Sequence, residues 1–132
     1  RKAVRVAMNS PSHCSLLQPA AEQFALSLNE AVWRDAQIPV LSNADAKPSK
    51  SVAKLQFNIA RQLSQAVLWE DEILEMEKMG VTHLIEVGPG HTLTGFGRKI
   101  TRKIKSANVE DTASLNEVLD WIAEAKGGEK VS

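Results

Sequence analysis

Cysteine is nearly absent from this sequence: Cys14 is the only one among 132 residues, which excludes an internal disulfide. The Cys and His spacing typical of metal sites is also missing, so we expect neither a metal nor a cofactor. No apolar run approaches the ~20 residues that cross a bilayer. The basic start, Arg1–Arg5, is not followed by the long apolar segment of a signal peptide. We therefore expect a cytoplasmic protein.

Net charge is absent as well, because 16 Lys and Arg residues balance 16 Asp and Glu residues. A neutral total gives no reason to expect binding to nucleic acid or to an anionic membrane. Neither a Walker loop nor a GxGxxG fingerprint occurs, and there is no internal repeat. With 43% apolar and 24% charged residues, the chain is suited to one folded domain or to part of a larger one. It begins inside an apolar run, so we expect it to continue something upstream.

The hydrophobic pattern alternates between the periods of strands and helices. Val81–Val87 is nearly continuously apolar, as expected of a parallel strand that is covered on both faces. The pattern indicates an α/β fold with a mainly parallel sheet and flanking helices. It predicts strands at 3–8, 37–41, 81–87 and 107–109, and Pro39 indicates that the second lies at a sheet edge or begins there. It predicts helices at 19–33, 51–66, 70–79, 92–105 and from 114 to 127, and a loop at 43–48. Gly80 is the expected C-terminal glycine of the third helix, and the last helix has a capping box at Ser114 and Glu117.

The segment Asn9–Ser15 presents a histidine, His13, on a proline-stiffened loop after the first strand. Histidine is suited to general-base chemistry near neutral pH, and loops after strand C-termini often hold active sites in α/β sheets. A lone histidine is nevertheless more often a surface or structural residue. Cys14 could form a thiol–imidazole pair with it, but successive residues generally point apart, so a buried, inert thiol is the default interpretation.

A glycine-rich turn, Gly88-Pro89-Gly90, joins the best predicted strand to the helix that follows. Glycines permit tight turning, and a helix N-terminus can hold an anion. The turn matches no phosphate-binding motif, so it is a weak candidate for a phosphate site. It is a strong candidate for a tight strand-to-helix connection.

Four blocks of residues occur in order along nearly the whole chain. They are Pro11-Ser12-His13-Cys14-Ser15-Leu16-Leu17-Gln18-Pro19-Ala20, Pro39-Val40-Leu41-Ser42-Asn43-Ala44-Asp45, Arg61-Gln62-Leu63 with Val67-Leu68-Trp69, and Glu86-Val87-Gly88-Pro89-Gly90 with Leu93-Thr94-Gly95. Together the blocks resemble the C-terminal half of the malonyl-CoA:acyl carrier protein transacylases of bacterial fatty acid synthesis. Their order and spacing make the resemblance specific.

The resemblance implies an α/β-hydrolase-like core with an inserted ferredoxin-like subdomain. On this reading, residues 1–9 end that subdomain, residues 10–126 form the C-terminal part of the acyltransferase core, and residues 127–132 are a disordered tail. The family transfers malonyl from coenzyme A to the phosphopantetheine thiol of acyl carrier protein through an acyl-serine. The resemblance makes His13 the general base and the backbone carbonyl of Gln62 the group that orients it. It also places Ser12 in the acyl pocket and aligns Asn43 with an asparagine of the family. We interpret Asn43 as a local loop organiser, because an Asn side chain readily bonds its own backbone.

Basic residues cluster toward the end of the predicted helix 92–105. Since acyl carrier protein is acidic, four of these cations could dock it by charge complementarity: Arg98, Lys99, Arg102 and Lys103. The simpler interpretation is a solvated helix face with cations near its C-terminal end. The cluster comprises Arg98, Lys99, Arg102, Lys103 and Lys105.

The family's serine elbow, Gly-His-Ser-x-Gly, occurs nowhere in these residues. We therefore expect the chain to be inactive alone, with malonyl-CoA as the parent enzyme's substrate and an N-terminal chain as a potential complementing partner. Three hypotheses remain at this stage. The chain is part of a transacylase, a non-catalytic module that binds carrier protein, or a hydrolase or thiol enzyme that uses His13 with Cys14 or a nearby serine.

Overall fold

The structure, a computed structural model, describes residues 3, 5 and 10–127. Helices and short strands alternate along these residues, as the hydrophobic pattern predicts. The elements are a 3-10 turn at Ser15–Leu17, α1 (Gln18–Glu30), β1 (Val40–Leu41), β2 (Pro48–Ser49), α2 (Val52–Gln62), α3 (Trp69–Lys78), β3 (His83–Val87), α4 (Thr92–Ile100), β4 (Lys105–Val109) and α5 (Thr112–Gly127).

The chain divides into two compact units, one up to Glu72 and one from Ile73 onward. In the first unit α1 packs against α2, and β1 pairs with β2 in an antiparallel register. Apolar burial there involves Ala21 and Leu55. Asn58 of α2 is also completely buried, which places a polar side chain inside this unit.

The second unit is built around β3 and β4, which pair in parallel from His83↔Lys105 to Val87↔Val109. Helices α4 and α5 pack against β4. The α/β class predicted from the sequence is confirmed by this parallel pair. Buried side chains of the unit are Ile73, Thr94, Ile104 and Val118.

Three helices end earlier than their hydrophobic patterns predict, and at each end a side chain just beyond the helix forms a hydrogen bond. The indole N–H of Trp33 donates to the carbonyl of Leu28 at 2.8 Å, and α1 ends at Glu30. Helix α2 ends at Gln62, where Ser64 turns back onto the carbonyl of Arg61 through its N–H at 3.1 Å and its hydroxyl at 3.3 Å.

Helix α4 ends at Ile100, five residues before the predicted end at Lys105. The hydroxyl of Thr101 donates to Glu77 at 2.6 Å and accepts the backbone N–H of Lys103 at 3.1 Å. Thr101 is accordingly extended, with φ −142° and ψ 151°. The prediction that 92–105 is one helix is therefore wrong, and Lys105 begins β4.

The strands differ from the predictions in extent and covering. Val87 of β3 is 81% exposed, so the prediction of cover on both faces fails at the end of this strand. Pro39 directly precedes β1, as expected of a strand that begins after a proline, whereas β2 falls in a predicted loop. The predicted strand 3–8 and the subdomain end at 1–9 lie largely outside the described residues, as does most of the predicted tail 127–132.

The C-terminus of α3 has the expected capping residue, whereas the N-terminus of α5 has a different one. Gly80 has φ +81° just after α3, which confirms the expected C-terminal glycine. At α5 the cap is Asp111 rather than Ser114, because the N–H of Ser114 donates to Asp111 Oδ1 at 2.8 Å. Among the described residues, no helix is long and apolar enough to cross a membrane.

Candidate active site

His13 lies in an irregular turn just before α1, and its backbone is unusual. Its φ is 60°, in the left-handed region that residues other than glycine seldom occupy. The backbone N–H of His13 donates to the carbonyl of Leu63 at 3.1 Å. Such conformations cost free energy and concentrate at functional sites, where the surrounding structure enforces them. The side chain is exposed, so its ring can be reached from outside this unit.

The imidazole of His13 is oriented by the end of α2. Its Nδ1 lies 2.9 Å from the backbone carbonyl oxygen of Gln62. The last carbonyls of a helix have no partner within the helix, which leaves them free to accept. Because a carbonyl only accepts hydrogen bonds, the neutral ring carries its proton on Nδ1. The lone pair of Nε2 then points away from Gln62 and can accept a proton.

The structure does not pair His13 with a nucleophile among the residues 10–127. Cys14 directs its Sγ to the carbonyl of Pro11 at 3.0 Å, and its side chain is half-buried. The hydroxyls of Ser10 and Ser12 bond each other at 2.8 Å on the exposed surface. In this part of the chain, the hydrogen bond of the His13 ring goes to Gln62 instead. The thiol or serine enzyme suggested by sequence proximity therefore gains no geometric support.

Asn43 belongs to a buried loop, residues 42–46, beside α2. The carbonyl of Ser42 accepts the N–H groups of Asp45 and Ala46 at 3.2 and 2.8 Å. The side-chain amide of Asn43 donates to Glu72 Oε2 at 3.2 Å, and its carbonyl accepts the N–H of Leu68 at 3.0 Å. Asn43 thus ties the loop to Leu68 and Glu72, which are distant in sequence, whereas we expected its side chain to bond its own backbone.

Two carboxyl groups of this unit have opposite electrostatic surroundings. Burial, with the nearby charge of Asp45, raises the pKa of Glu72, which is 4% exposed. Burial by itself would also raise the pKa of Asp45. The ammonium of Lys54, the neighbouring amide of Asn58 and the hydrogen bond from the Lys47 N–H outweigh that effect and lower the pKa of Asp45. Lys54 Nζ lies 2.7 Å from Asp45 Oδ2.

The basic cluster is spread over a helix, a turn and a strand rather than over one helix face. Arg98 of α4 donates to the carbonyl of Ser106 at 2.8 Å, and Lys103 forms an ion pair with Glu77. Lys99 lies over the ring of Phe96 on the exposed side of α4. Arg98, Arg102 and Lys105 line a groove of about 790 Å³ together with Glu110, Glu117 and Trp121.

The glycine turn between β3 and α4 is closed by carboxylates. Glu86 accepts the N–H groups of Leu93 and Thr94 at 3.1 and 2.7 Å, and Glu110 accepts that of Gly90 at 2.8 Å. Burial favours the neutral form of Glu86, but these N–H donors outweigh it and lower the pKa. Because the first donors of α4 are occupied, the turn is a strand-to-helix connection rather than a phosphate cradle.

Arg61 and Asn58 are the residues of this region that sequence reasoning missed. Arg61 directly precedes Gln62 in the chain, and its Nη2 donates to the carbonyl of Ala44 at 2.7 Å. Nothing in the helical pattern distinguishes Arg61 from a solvated cation. Asn58 follows the buried Leu55 by one turn, so its position on the apolar face was the only available signal.

Comparisons with known proteins agree on one family. No protein-family model matches the chain. Two curated proteins with the same name, malonyl CoA-acyl carrier protein transacylase, align over most of it. The one from Haemophilus influenzae is 35% identical over 122 residues, covering 92% of this chain and 39% of the relative. The one from Bacillus subtilis is 31% identical over 124 residues, covering 94% and 39%.

The chain corresponds to the C-terminal part of malonyl CoA-acyl carrier protein transacylases. It spans about two-fifths of the length of these relatives (39%). The resemblance expected from the sequence blocks is confirmed.

Solved structures agree with this assignment to the transacylases. An acyl carrier protein S-malonyltransferase from Vibrio cholerae has a TM-score of 0.84 and 36% identity, covering 89% of this chain and 39% of its own. A malonyl-transacylase solved in complex with its type II PKS acyl-carrier protein has a TM-score of 0.82 and 36% identity, covering 87% and 37%.

Proposed function

We propose that this chain supplies the general base of a malonyl-CoA:acyl carrier protein transacylase, with His13 as the base and the Gln62 carbonyl as the group that orients it. The observation that carries the proposal is the 2.9 Å contact between His13 Nδ1 and Gln62 O. Similarity to the transacylases over about nine-tenths of the chain supports the reaction class.

In the proposed reaction, His13 Nε2 removes the proton from a serine hydroxyl as the serine oxygen attacks the thioester carbonyl of malonyl-CoA. The C–S bond breaks, and the departing coenzyme A sulfur takes the proton from the imidazolium. Malonyl is then an ester of the serine. In the second half, His13 takes the proton of the carrier protein's phosphopantetheine thiol, which attacks the ester. The serine oxygen leaves and recovers the proton.

The Gln62 carbonyl accepts the hydrogen bond of the Nδ1–H throughout both transfers. It fixes the ring so that Nε2 faces the reacting atoms, and it stabilises the imidazolium that forms twice. In the proposed site this carbonyl takes the place of a carboxylate partner for His13, although a neutral acceptor stabilises the cation less than an aspartate does.

The serine nucleophile is not among these residues, because no Gly-His-Ser-x-Gly sequence occurs in the chain. We therefore expect the purified chain to transfer no malonyl by itself. The proposal places residues 10–126 in an α/β-hydrolase-like core that is completed by another polypeptide segment, with residues 1–9 ending a ferredoxin-like subdomain. Ser12, exposed beside His13, would border the malonyl group. No metal takes part.

The basic cluster is the proposed docking surface for acyl carrier protein. Support comes from the exposed positions of Arg98, Lys99, Arg102 and Lys103 in the second unit. Lys103 is already paired with Glu77, and acidic side chains line the neighbouring groove. The free charge available to an acidic partner is therefore centred on Lys99 and Arg102.

A chimera tests the proposed function. This chain would replace the aligned segment of the Haemophilus influenzae transacylase, whose remaining residues are expected to supply the serine. We expect the chimera to transfer malonyl from coenzyme A to holo-acyl carrier protein and to accumulate an acyl-serine. The isolated chain, run in parallel, should show neither activity nor a mass increase.

The outcomes separate the three hypotheses. A folded but inactive chimera that still binds carrier protein would favour the non-catalytic module. An acyl adduct on the isolated chain would instead favour an enzyme that uses Cys14 or a nearby serine. Either result would overturn the proposal.

A further inference from the structure

The site contains a residue with no assigned role next to the orienting carbonyl. We propose that Arg61 is a positioning residue: by binding the Ala44 carbonyl it fixes the last turn of α2, and thereby the two carbonyls that hold His13. The geometric part concerns this chain alone, whereas its consequence for catalysis rests on the proposed function of His13.

Two consecutive backbone carbonyls at the end of α2 hold His13. Gln62 O accepts from the ring of His13 at 2.9 Å, and Leu63 O accepts from its backbone N–H at 3.1 Å. Both bonds come from consecutive residues at the end of α2. The ring orientation and the left-handed backbone of His13 therefore depend on where this one turn lies. A shift of the turn would disturb both bonds together.

Arg61 holds the last turn of α2 through both its backbone carbonyl and its side chain. Its carbonyl accepts the N–H and hydroxyl of Ser64 at 3.1 and 3.3 Å, which closes the end of the helix. Its guanidinium donates to Ala44 O at 2.7 Å, which ties that end to the loop 42–46. A charge-assisted bond of this length in a part-buried position is among the stronger kinds of hydrogen bond.

The loop to which Arg61 is tied, residues 42–46, is itself well held. Ser42, Ala44 and Ala46 are 7%, 6% and 7% exposed. The loop is held at Asn43 by Leu68 and Glu72, and at Asp45 by Lys54. Arg61 therefore joins the end of α2 to a fixed point, not to a freely moving surface segment.

The test measures the ring of His13 directly in the full 132-residue chain. With ¹⁵N-labelled histidine, the two ring nitrogens report which of them carries the proton when the imidazole is neutral. We expect the wild-type His13 to show the Nδ1–H tautomer. Arg61→Met keeps an unbranched apolar stem and removes the donor. Arg61→Gln keeps a polar side chain that is too short to reach the Ala44 carbonyl. In both variants we expect loss of the fixed Nδ1–H signature in favour of a tautomer mixture. Arg61→Lys, which retains a cationic donor group, should restore most of the Nδ1–H signature.

The matched control is Arg98→Gln, since Arg98 also donates to a backbone carbonyl, that of Ser106, at 2.8 Å. It should leave the His13 signals unchanged. An unchanged Nδ1–H signature in a folded Arg61→Met or Arg61→Gln chain would overturn the proposal. If both variants unfold, hydrogen exchange of the wild type decides: protection of the His13 amide and the Arg61 guanidinium should be lost in one opening event. Opening at different denaturant concentrations would contradict the proposal.

The link to catalysis has a separate readout in the chimera. Arg61→Met should lower kcat for malonyl transfer with little change in the KM for malonyl-CoA, and Arg61→Lys should recover part of the loss. If the chimera is inactive, the proposed function fails while the tautomer experiment still decides the role of Arg61. If the tautomer changes but kcat does not, Arg61 orients His13 without affecting the reaction, and the catalytic part of the proposal is wrong.

Discussion

His13 Nδ1 and the backbone oxygen of Gln62 are 2.9 Å apart although 49 positions separate them in the chain. The bond uses the end of a helix, where carbonyls lack helical partners, to orient a ring on a loop before a different helix. It needs no ionisable partner for the histidine. It also makes the geometry of the proposed base depend on backbone position, and this dependence leads to the first prediction.

The side chain of Gln62 should be dispensable, because only its backbone oxygen contacts His13. We expect Gln62→Ala in the chimera to keep malonyl transfer within roughly threefold of the parent, as for a substitution that costs about 0.5 kcal/mol. The measurement is kcat/KM for malonyl-CoA. Gln62→Pro serves as the contrasting variant, since proline alters the backbone at this turn and should abolish activity. A large loss with alanine would show that the amide side chain takes part.

Glu72 should make the chain less stable as the pH rises. Burial, with the charge of Asp45, raises its pKa above the ordinary 4.5, so the protonated form is favoured in the folded state. The stability this provides is present below 4.5 and is lost as the pH rises through the folded-state pKa. Glu72→Gln should remove that loss and keep an acceptor for Asn43. Its urea midpoint should exceed that of the wild type increasingly toward neutral pH.

The control for this variant is Glu70→Gln, which removes one negative charge from an exposed position of the same helix. It should follow the wild-type pH profile. A Glu72→Gln profile parallel to the wild type across this pH range would show that the buried carboxyl does not set the dependence.

Two glycines should respond to alanine in opposite directions. Gly95 lies inside α4 and a Cβ there meets nothing within 4 Å, so Gly95→Ala should raise the free energy of unfolding by about 1 kcal/mol. Gly80 has φ +81°, and Gly80→Ala should lower it by about 1–2 kcal/mol. Urea denaturation of both variants checks the pair. Stabilisation by Gly80→Ala would contradict the C-cap described after α3.

The docking surface predicts a selective effect on carrier protein. Reversing the charges of Lys99 and Arg102 in the chimera should raise the KM for acyl carrier protein about tenfold, equivalent to about 1.4 kcal/mol, and leave the KM for malonyl-CoA unchanged. The effect should shrink with added salt because exposed charges are screened. The control reverses two exposed charges of the first unit, Arg34 and Lys50, and so changes the net charge equally. Equal effects from both sets would show only a dependence on net charge.

The sequence predicted the existence of the elements better than their ends. Apolar stripes located the helices, and Gly80 marked the end of α3. The end of α4 could not be predicted, because Thr101 leaves the helix to bond Glu77, which is distant in sequence. Local patterns carry no information on such a tertiary partner. At α1 the bond is short in range, since the indole of Trp33 donates to the carbonyl of Leu28, five positions earlier.

The candidate site divides in the same way. His13 and Gln62 were both identified, although the pairing came from the family resemblance and not from spacing. Arg61 was quoted in the same block but received no role, since its partner, the Ala44 carbonyl, is defined only by the folded loop. Asn58 and Glu72 also received no role. For Asn58 the only signal was its position on the apolar face of α2, one turn after Leu55.

The most direct test of the central claim is malonyl transfer by the chimera with and without its base. With His13→Ala, we expect kcat for malonyl transfer from coenzyme A to acyl carrier protein to fall about 10²–10⁴-fold, the range that general-base catalysis contributes. Cys14→Ala, which changes the neighbouring residue, should transfer malonyl at the parent rate. A His13→Ala chimera that retains the parent rate would contradict the account.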